Sequence, residues 1–422
     1  MSSNRRPPAI ALDDLAEPQF TDDASAILNV MAEAGADVSL RTDALMAAAV
    51  DQTGLDDFGP DDFVGRLDIL CDALSHEARL DQAGILAQST LVGGLLRNRL
   101  LLEDLFRRHP EIADVVVARP IVICGLPRTG TTHLHNLMSA DTALRSLPYW
   151  ESMEPVLAES ERPDAGGVDP RRERTELSLS VLDVVMPEFK RMHEMTVDHV
   201  HEEIQLLAID FSTMLFETIA PMPTWRDDYL ARDQRPSYGY LKRILQAMQW
   251  LRGGTRWVLK SPQHLEQFPA LFDTFPDATF VVTHRDPVSV TASMITMLAY
   301  SARIGRQHVD LPWIGRYWTD RLEQMLRACV RDRDVLPPDQ SLDMHFDEFM
   351  ADDMGMVARI YELAGQPMTG EAEAAMTAFM ADHPRGRHGG VLYDLAQFGL
   401  DGKEVRQSMA FYIERFGVSE EG

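Results

Sequence analysis

Apolar residues along this chain fall into two kinds of run. From about 23 to 112 they recur at three- and four-residue spacings, the mark of helices with one buried face. Ala44, Leu45, Ala48 and Ala49 share a face of one candidate helix. Phe63, Leu67, Ile69, Leu70 and Leu74 form a second, announced by Pro60-Asp61-Asp62. Leu91, Leu95, Leu96, Leu100 and Leu101 form a third. Beyond residue 120 short β-branched runs alternate with helical ones. Ile121-Val-Ile-Cys124 is free of charge, as suits a strand covered on both faces of a parallel sheet. Arg256-Trp-Val-Leu-Lys260 and Ala278-Thr-Phe-Val-Val-Thr283 have the same character. Helical periodicity separates them, at Leu134, Leu137 and Met138, over 236 to 252, from Leu265 to Phe275, and again from Pro287 with Asp286 as its cap. This alternation predicts an α/β fold, a parallel sheet flanked by helices, with an N-terminal helical extension. The expected division is a flexible tail over 1–20, marked by Arg5-Arg6-Pro7-Pro8, a helical extension over 21–115, and the sheet domain over 116–422.

The segment after the first strand changes the picture from fold to chemistry. Gly125-Leu-Pro-Arg-Thr-Gly130 has the G-x-x-x-x-G spacing of a phosphate loop and leads into a helix at Thr131. Free backbone N–H groups and the positive end of the helix dipole make such a turn an anion site. The residue after Gly130 is Thr131, whereas a nucleotide triphosphatase needs lysine there. The fixed charge is Arg128, inside the loop, and Thr129, Thr131 and Thr132 add hydroxyls. Pro127, Arg128, Thr129, Gly130, Thr131, Thr132 and His133 are therefore the candidate anion-binding residues.

Two later strand ends add charge. Lys260 closes the second strand and His264 lies in the loop after it; His284-Arg285-Asp286 closes the third, and Ser289 and Ser293 follow four apart on a helix face. Ligands of open α/β sheets bind beyond the carboxyl ends of the strands. Arg128, Lys260, His264 and Arg285 would all meet at that edge. The chain carries 66 acidic against 40 basic residues, a net charge of −26. Four basic groups on one edge of so acidic a protein point to a highly charged anionic ligand. The same balance argues against nucleic acid and anionic membranes as partners. Three scattered cysteines form no disulfide framework, no apolar signal segment opens the chain, and no run nears the roughly 18 apolar residues of a membrane span. The expected compartment is the cytoplasm.

Two further stretches carry chemical groups. Tyr149-Trp150-Glu151 sets a carboxylate among aromatics about 20 residues past the loop, where a raised pKa would suit a general base. His193-Glu-Met-Thr-Val-Asp-His-Val-His-Glu-Glu203 concentrates three histidines and three glutamates. The H-E-x-x-H pattern is absent, and His199 and His201 share a face only in a strand, so the expectation is a pocket wall or a solvated helix start, and no metal. Trp225, Tyr229, Tyr238 and Trp250 suit an apolar or aromatic small-molecule acceptor or plain core.

These motifs resemble those of sulfotransferases that use 3′-phosphoadenosine 5′-phosphosulfate. Leu126-Pro-Arg-Thr-Gly-Thr-Thr132 looks like the family's 5′-phosphosulfate loop, and Arg285 with Ser293, eight residues on, looks like its 3′-phosphate motif. Ser341 to Phe349 resembles a late strand and acidic turn of the fold, and Gly386-Arg387-His388 with Tyr393 to Asp401 resembles the tail of bacterial members of the branch that includes tyrosylprotein sulfotransferases. The resemblance covers about 118 to 415. Gly389 to Leu392 makes the spacing between Arg387 and Tyr393 longer than is usual. The resemblance implies a P-loop-like sulfotransferase domain and in-line sulfuryl transfer, without a metal, to a hydroxyl or amine of an unidentified small molecule. Arg128 and the loop would hold the 5′-phosphosulfate, Arg285, Ser293 and Arg387 would reach the nucleotide, and Arg128 or Lys260 would stabilise the leaving phosphate. Glu151 or His264 would be the base. The rival reading is a phosphate-loop kinase or triphosphatase, against which the missing lysine at 131 and the Arg285/Ser293 pair weigh.

Overall fold

The computed structural model describes residues 6–163 and 167–421. Met1 to Arg5 of the expected tail lie outside the described residues. Four strands form one parallel sheet: β1 (Ile121–Cys124), β2 (Val258–Ser261), β3 (Thr279–His284) and β4 (Ser341–His345), in the order β2-β1-β3-β4. β1 is central, with Ile121 opposite Val258 on one side and Thr279 on the other. All four of its side chains are buried, as the charge-free pattern requires.

Alternation along the strands splits the core in two. Val122, Cys124, Leu259, Phe280 and Val282 point to one face, where they join the helices of the N-terminal half. Ile121, Ile123, Val258, Val281 and Met344 point to the other, against Leu134, Leu137 and Met138 of the helix Thr131–Ser139 and against Val357 and Ile360 of the helix Asp353–Ala364. The extension consists of helices α1 (Asp22–Gly35), α2 (Thr42–Thr53), α3 (Asp62–His76) and α4 (Gln82–Arg108). Thr21 caps α1 by accepting from the Ala24 N–H, and Asp81 caps α4 by accepting from Gly84. Their apolar faces belong to the same continuous core as the first sheet face.

The described part of the expected tail is packed down. Leu12 and Leu15 are buried, and Ile10 forms a parallel bridge with Val391. The Ile10 N–H donates to the Gly390 carbonyl at 3.1 Å, and the Leu392 N–H donates to that of Ile10 at 2.8 Å. The long Gly389-to-Leu392 spacing thus supplies a partner for the N-terminal segment. Three apolar residues at 10, 12 and 15 are too few to register as a periodic pattern.

Candidate active site

The phosphate loop is shaped by steric demands at both ends. A Cβ on Gly125 would lie 1.8 Å from Thr283 Oγ1 of β3, so only glycine lets the chain leave β1 this close to its neighbour. Gly130 has φ 86°, and a Cβ there would approach the Phe346 ring to 3.2 Å. Between them Arg128 adopts φ 72°, a left-handed conformation uncommon for a residue with a side chain. Thr129 Oγ1 sits 2.6 Å from Thr283 Oγ1 and donates to the Leu126 carbonyl at 2.7 Å. Thr129 therefore pins the loop to β3 and does not face the ligand space, contrary to its expected role.

A cavity of about 860 Å³ opens beyond the carboxyl ends of β1, β2 and β3. Pro127, Arg128, Gly130, Thr131, Thr132 and His133 line it from the loop and helix start. Lys260, Arg285 and Arg387 line it from β2, β3 and the C-terminal segment. Ser293 meets this group through Arg128, whose Nε donates to Ser293 Oγ at 2.8 Å. Residues 165 positions apart in sequence thus converge, because parallel strands deliver their ends to one edge.

Lys260, Arg285 and Arg387 are each held by a protein oxygen. Lys260 Nζ donates to Glu202 and lies 3.4 Å from Thr132 Oγ1. Arg285 donates to both carboxylate oxygens of Glu421, at 2.6 and 2.7 Å, and to the Arg128 carbonyl, with its guanidinium 3.9 Å above the Phe346 ring. Arg387 and His388 share the carboxylate of Glu194. The Glu194 carboxyl, pushed up by burial, is held below its usual range by these hydrogen bonds.

Two expected catalytic residues lie elsewhere. Glu151 is buried against Arg145, whose Nη2 donates to its oxygens at 2.8 and 2.7 Å, and against Arg252 at 2.8 Å. It closes an ion-pair cluster away from the cavity wall. His264 is fully buried under β2. Its Nε2 is 2.5 Å from Glu203 Oε1 and its Nδ1 2.8 Å from the Tyr238 hydroxyl, while Glu203 Oε2 accepts from the Lys260 backbone N–H at 2.8 Å. Burial pushes the Glu203 carboxyl up, but the bonds from His264 and Lys260 outweigh it and hold it low. This chain braces the end of β2 and hence the placement of Lys260. The aromatic middle is core as well: Trp225, Tyr229 and Tyr238 are buried, Trp250 is partly exposed, and none lines the cavity.

The groups that do line it include residues of the 193–202 run, expected as a pocket wall, and apolar residues from other segments. Met294, Met297 and Leu298 from the helix Pro287–Ser301 face Met192, Met214 and Leu215 and form an apolar wing. Methionine walls adapt to irregular apolar ligands. Glu202 supplies the carboxylate beside Lys260. His193, His199 and His201 line the cavity together. Val200 bridges Pro148 in antiparallel fashion, the Tyr149 N–H donates to the His199 carbonyl at 2.8 Å, and the His201 N–H donates to that of Leu147 at 2.7 Å. The backbone is thus extended at 199–201, which is the one geometry that puts both histidines on a shared face. Burial lowers all three pKa values, that of His199 to about 4, assisted by the Lys260 charge.

A parallel-sheet protein with an arginine-bearing phosphate loop and basic strand ends is built to move or hold a group carried on an anionic ligand. Comparison gives the class its name. Residues 120–370 match the sulfotransferase family. The crystal structure of sulfotransferase STF1 from Mycobacterium tuberculosis H37Rv superposes with a TM-score of 0.76 at 31% identity, over 87% of this chain and 98% of that one. Sulfotransferase STF9 from Mycobacterium avium does so with a TM-score of 0.80 at 28% identity, over 92% and 99%. The omega-hydroxy-beta-dihydromenaquinone-9 sulfotransferase Stf3 of Mycobacterium tuberculosis is 24% identical over 287 residues, 65% of this chain and 70% of that protein. The chain belongs to the sulfotransferase family and is a sulfotransferase enzyme.

Proposed function

We propose that this enzyme transfers the sulfuryl group of 3′-phosphoadenosine 5′-phosphosulfate to a hydroxyl of an apolar small molecule. The observation that carries the reading is the meeting of Arg128, Lys260, Arg285 and the loop N–H groups on one cavity that also has a methionine-lined wing. In this reading the 5′-phosphosulfate lies on the loop amides and Arg128, and the 3′-phosphate takes the place of the Glu421 carboxylate on Arg285, beside Ser293. Carboxylate-for-phosphate exchange on a guanidinium keeps the paired, planar geometry.

The acceptor oxygen attacks sulfur in line with the bond to the leaving phosphate oxygen. The new S–O bond forms as that bond breaks, 3′,5′-adenosine bisphosphate departs, and the hydroxyl proton passes to a base. Positioning and charge stabilisation carry such a transfer. Lys260 is the cation at the leaving oxygen. Glu202, the carboxylate beside Lys260 on the cavity wall, is the base, in place of Glu151 and His264. The apolar wing and the hydroxylated lipid-like quinone named for Stf3 together support an acceptor with an apolar body. Threonine at position 131, where a phosphate-loop kinase carries lysine, weighs against phosphoryl transfer.

The test incubates the enzyme with radiolabelled donor and a panel of hydroxylated isoprenoid quinones, simple phenols and tyrosyl peptides. Label is expected on an isoprenoid alcohol, with Glu202→Gln lowering turnover by about 100-fold or more. Label on the peptide alone, or unchanged turnover in that variant, would remove the corresponding part of the proposal.

A further inference from the structure

The three histidines of the 193–203 run are not used by the transfer reading, and the fold gives them a geometry of their own. His199 and His201 are fixed side by side by the bridge to Pro148, and His193 reaches them from the turn after Phe189–Arg191. One ring nitrogen of each lies within 4.8 Å of the others. The rings meet edge to face, with centroids 5.3 Å apart at 79° for His193 and His199 and 6.0 Å apart at 62° for His199 and His201. Nδ1 of the buried His201 has no hydrogen-bond partner among the described residues. A buried polar atom without a partner is costly unless something else completes its shell.

We infer that His193, His199 and His201 form a binding site for one divalent transition cation of the zinc type, against the sequence-based expectation of no metal. Three imidazoles with an open fourth position suit zinc, whereas magnesium and calcium require oxygen donors. Zinc–nitrogen bonds near 2.0–2.1 Å put tetrahedral ligand atoms roughly 3.4 Å apart, so the rings need to close by a little over 1 Å, within reach of small side-chain rotations. The neighbouring cations do not block the site: Lys260 is paired with Glu202, and Arg128 donates to the Met192 carbonyl and to Ser293. All three histidines line the cavity, so a cation held by them would lie beside the acceptor space. The identity of that space rests on the transfer reading, but the binding itself does not.

The experiment strips the full-length protein with a chelator and titrates it with Co²⁺, reading the visible band of the tetrahedral ion. One equivalent is expected, displaced by Zn²⁺. His199→Ala and, as a conservative second variant, His193→Gln should each weaken binding at least tenfold while retaining the near-ultraviolet spectrum of the folded protein. Arg285→Ala, across the cavity, should leave the band unchanged. Absence of a saturable band in the parent protein, or equal affinity in both folded histidine variants, would overturn the site. Calorimetry with 3′,5′-adenosine bisphosphate on the same samples separates the two claims: intact nucleotide binding without cobalt binding removes the metal and leaves the donor reading standing.

Discussion

At the scale of single residues, the basic groups at the strand ends divide by what surrounds them. Lys260 reaches the cavity, whereas His264, four residues on, turns under β2 to Glu203 and Tyr238. Removing the imidazole leaves a buried carboxylate short of its partner, so His264→Ala should lower stability by about 3–5 kcal/mol. Tyr238→Phe should cost only about 1 kcal/mol, one hydrogen bond. Urea unfolding of both variants checks this. A His264→Ala protein as stable as its parent but without transfer would restore a direct role in the chemistry. Arg128, Lys260 and Arg285 were legible in the sequence because parallel strands bring their ends to one edge whatever the loops do. The outcome for Glu151 and His264 was not legible, because distance along the chain from a strand end does not fix which way the side chain turns. Arg145 and Arg252, which claim Glu151, lie 6 residues before it and 101 after it.

Among elements, the contact between β3 and β4 carries its own charge network. His284 Nε2 lies 2.8 Å from Asp343 Oδ1, and Arg333 donates to both Asp343 oxygens at 2.9 and 3.0 Å. Burial pushes the Asp343 carboxyl up, but these hydrogen bonds prevail and hold it down at about 2. A depressed carboxyl stabilises the fold fully above its unfolded pKa, roughly 3.9, and loses that contribution as pH falls through the folded value. Thermal unfolding should therefore show a loss of stability between about pH 4 and pH 2 that is smaller in Asp343→Asn. Identical pH profiles would contradict this. β1 and β3 were legible as apolar runs buried on both faces, whereas β4 carries Asp343 and is only partly buried. The extended segment at 199–201 was not legible, since its partner Pro148 lies some fifty residues away and the single bridge leaves no periodic trace.

Over the whole molecule, an acidic surface surrounds a basic interior edge, and the chain's own carboxylates occupy that edge. Glu202, Glu194 and Glu421 sit on Lys260, Arg387 and Arg285. Among the described residues, no helix is long and apolar enough to cross a membrane. The N-terminal helices share their core with one face of the sheet. The donor reading stands on Arg285 discriminating a 3′-phosphate, and calorimetric titration with 3′,5′-adenosine bisphosphate against 5′-AMP and Mg-ATP tests it most directly. Micromolar binding of the bisphosphate is expected, with at least 30-fold weaker binding of 5′-AMP, a difference of about 2 kcal/mol or more, and loss of that preference in Arg285→Ala. Equal affinity for 5′-AMP, or preference for Mg-ATP, would contradict the donor reading.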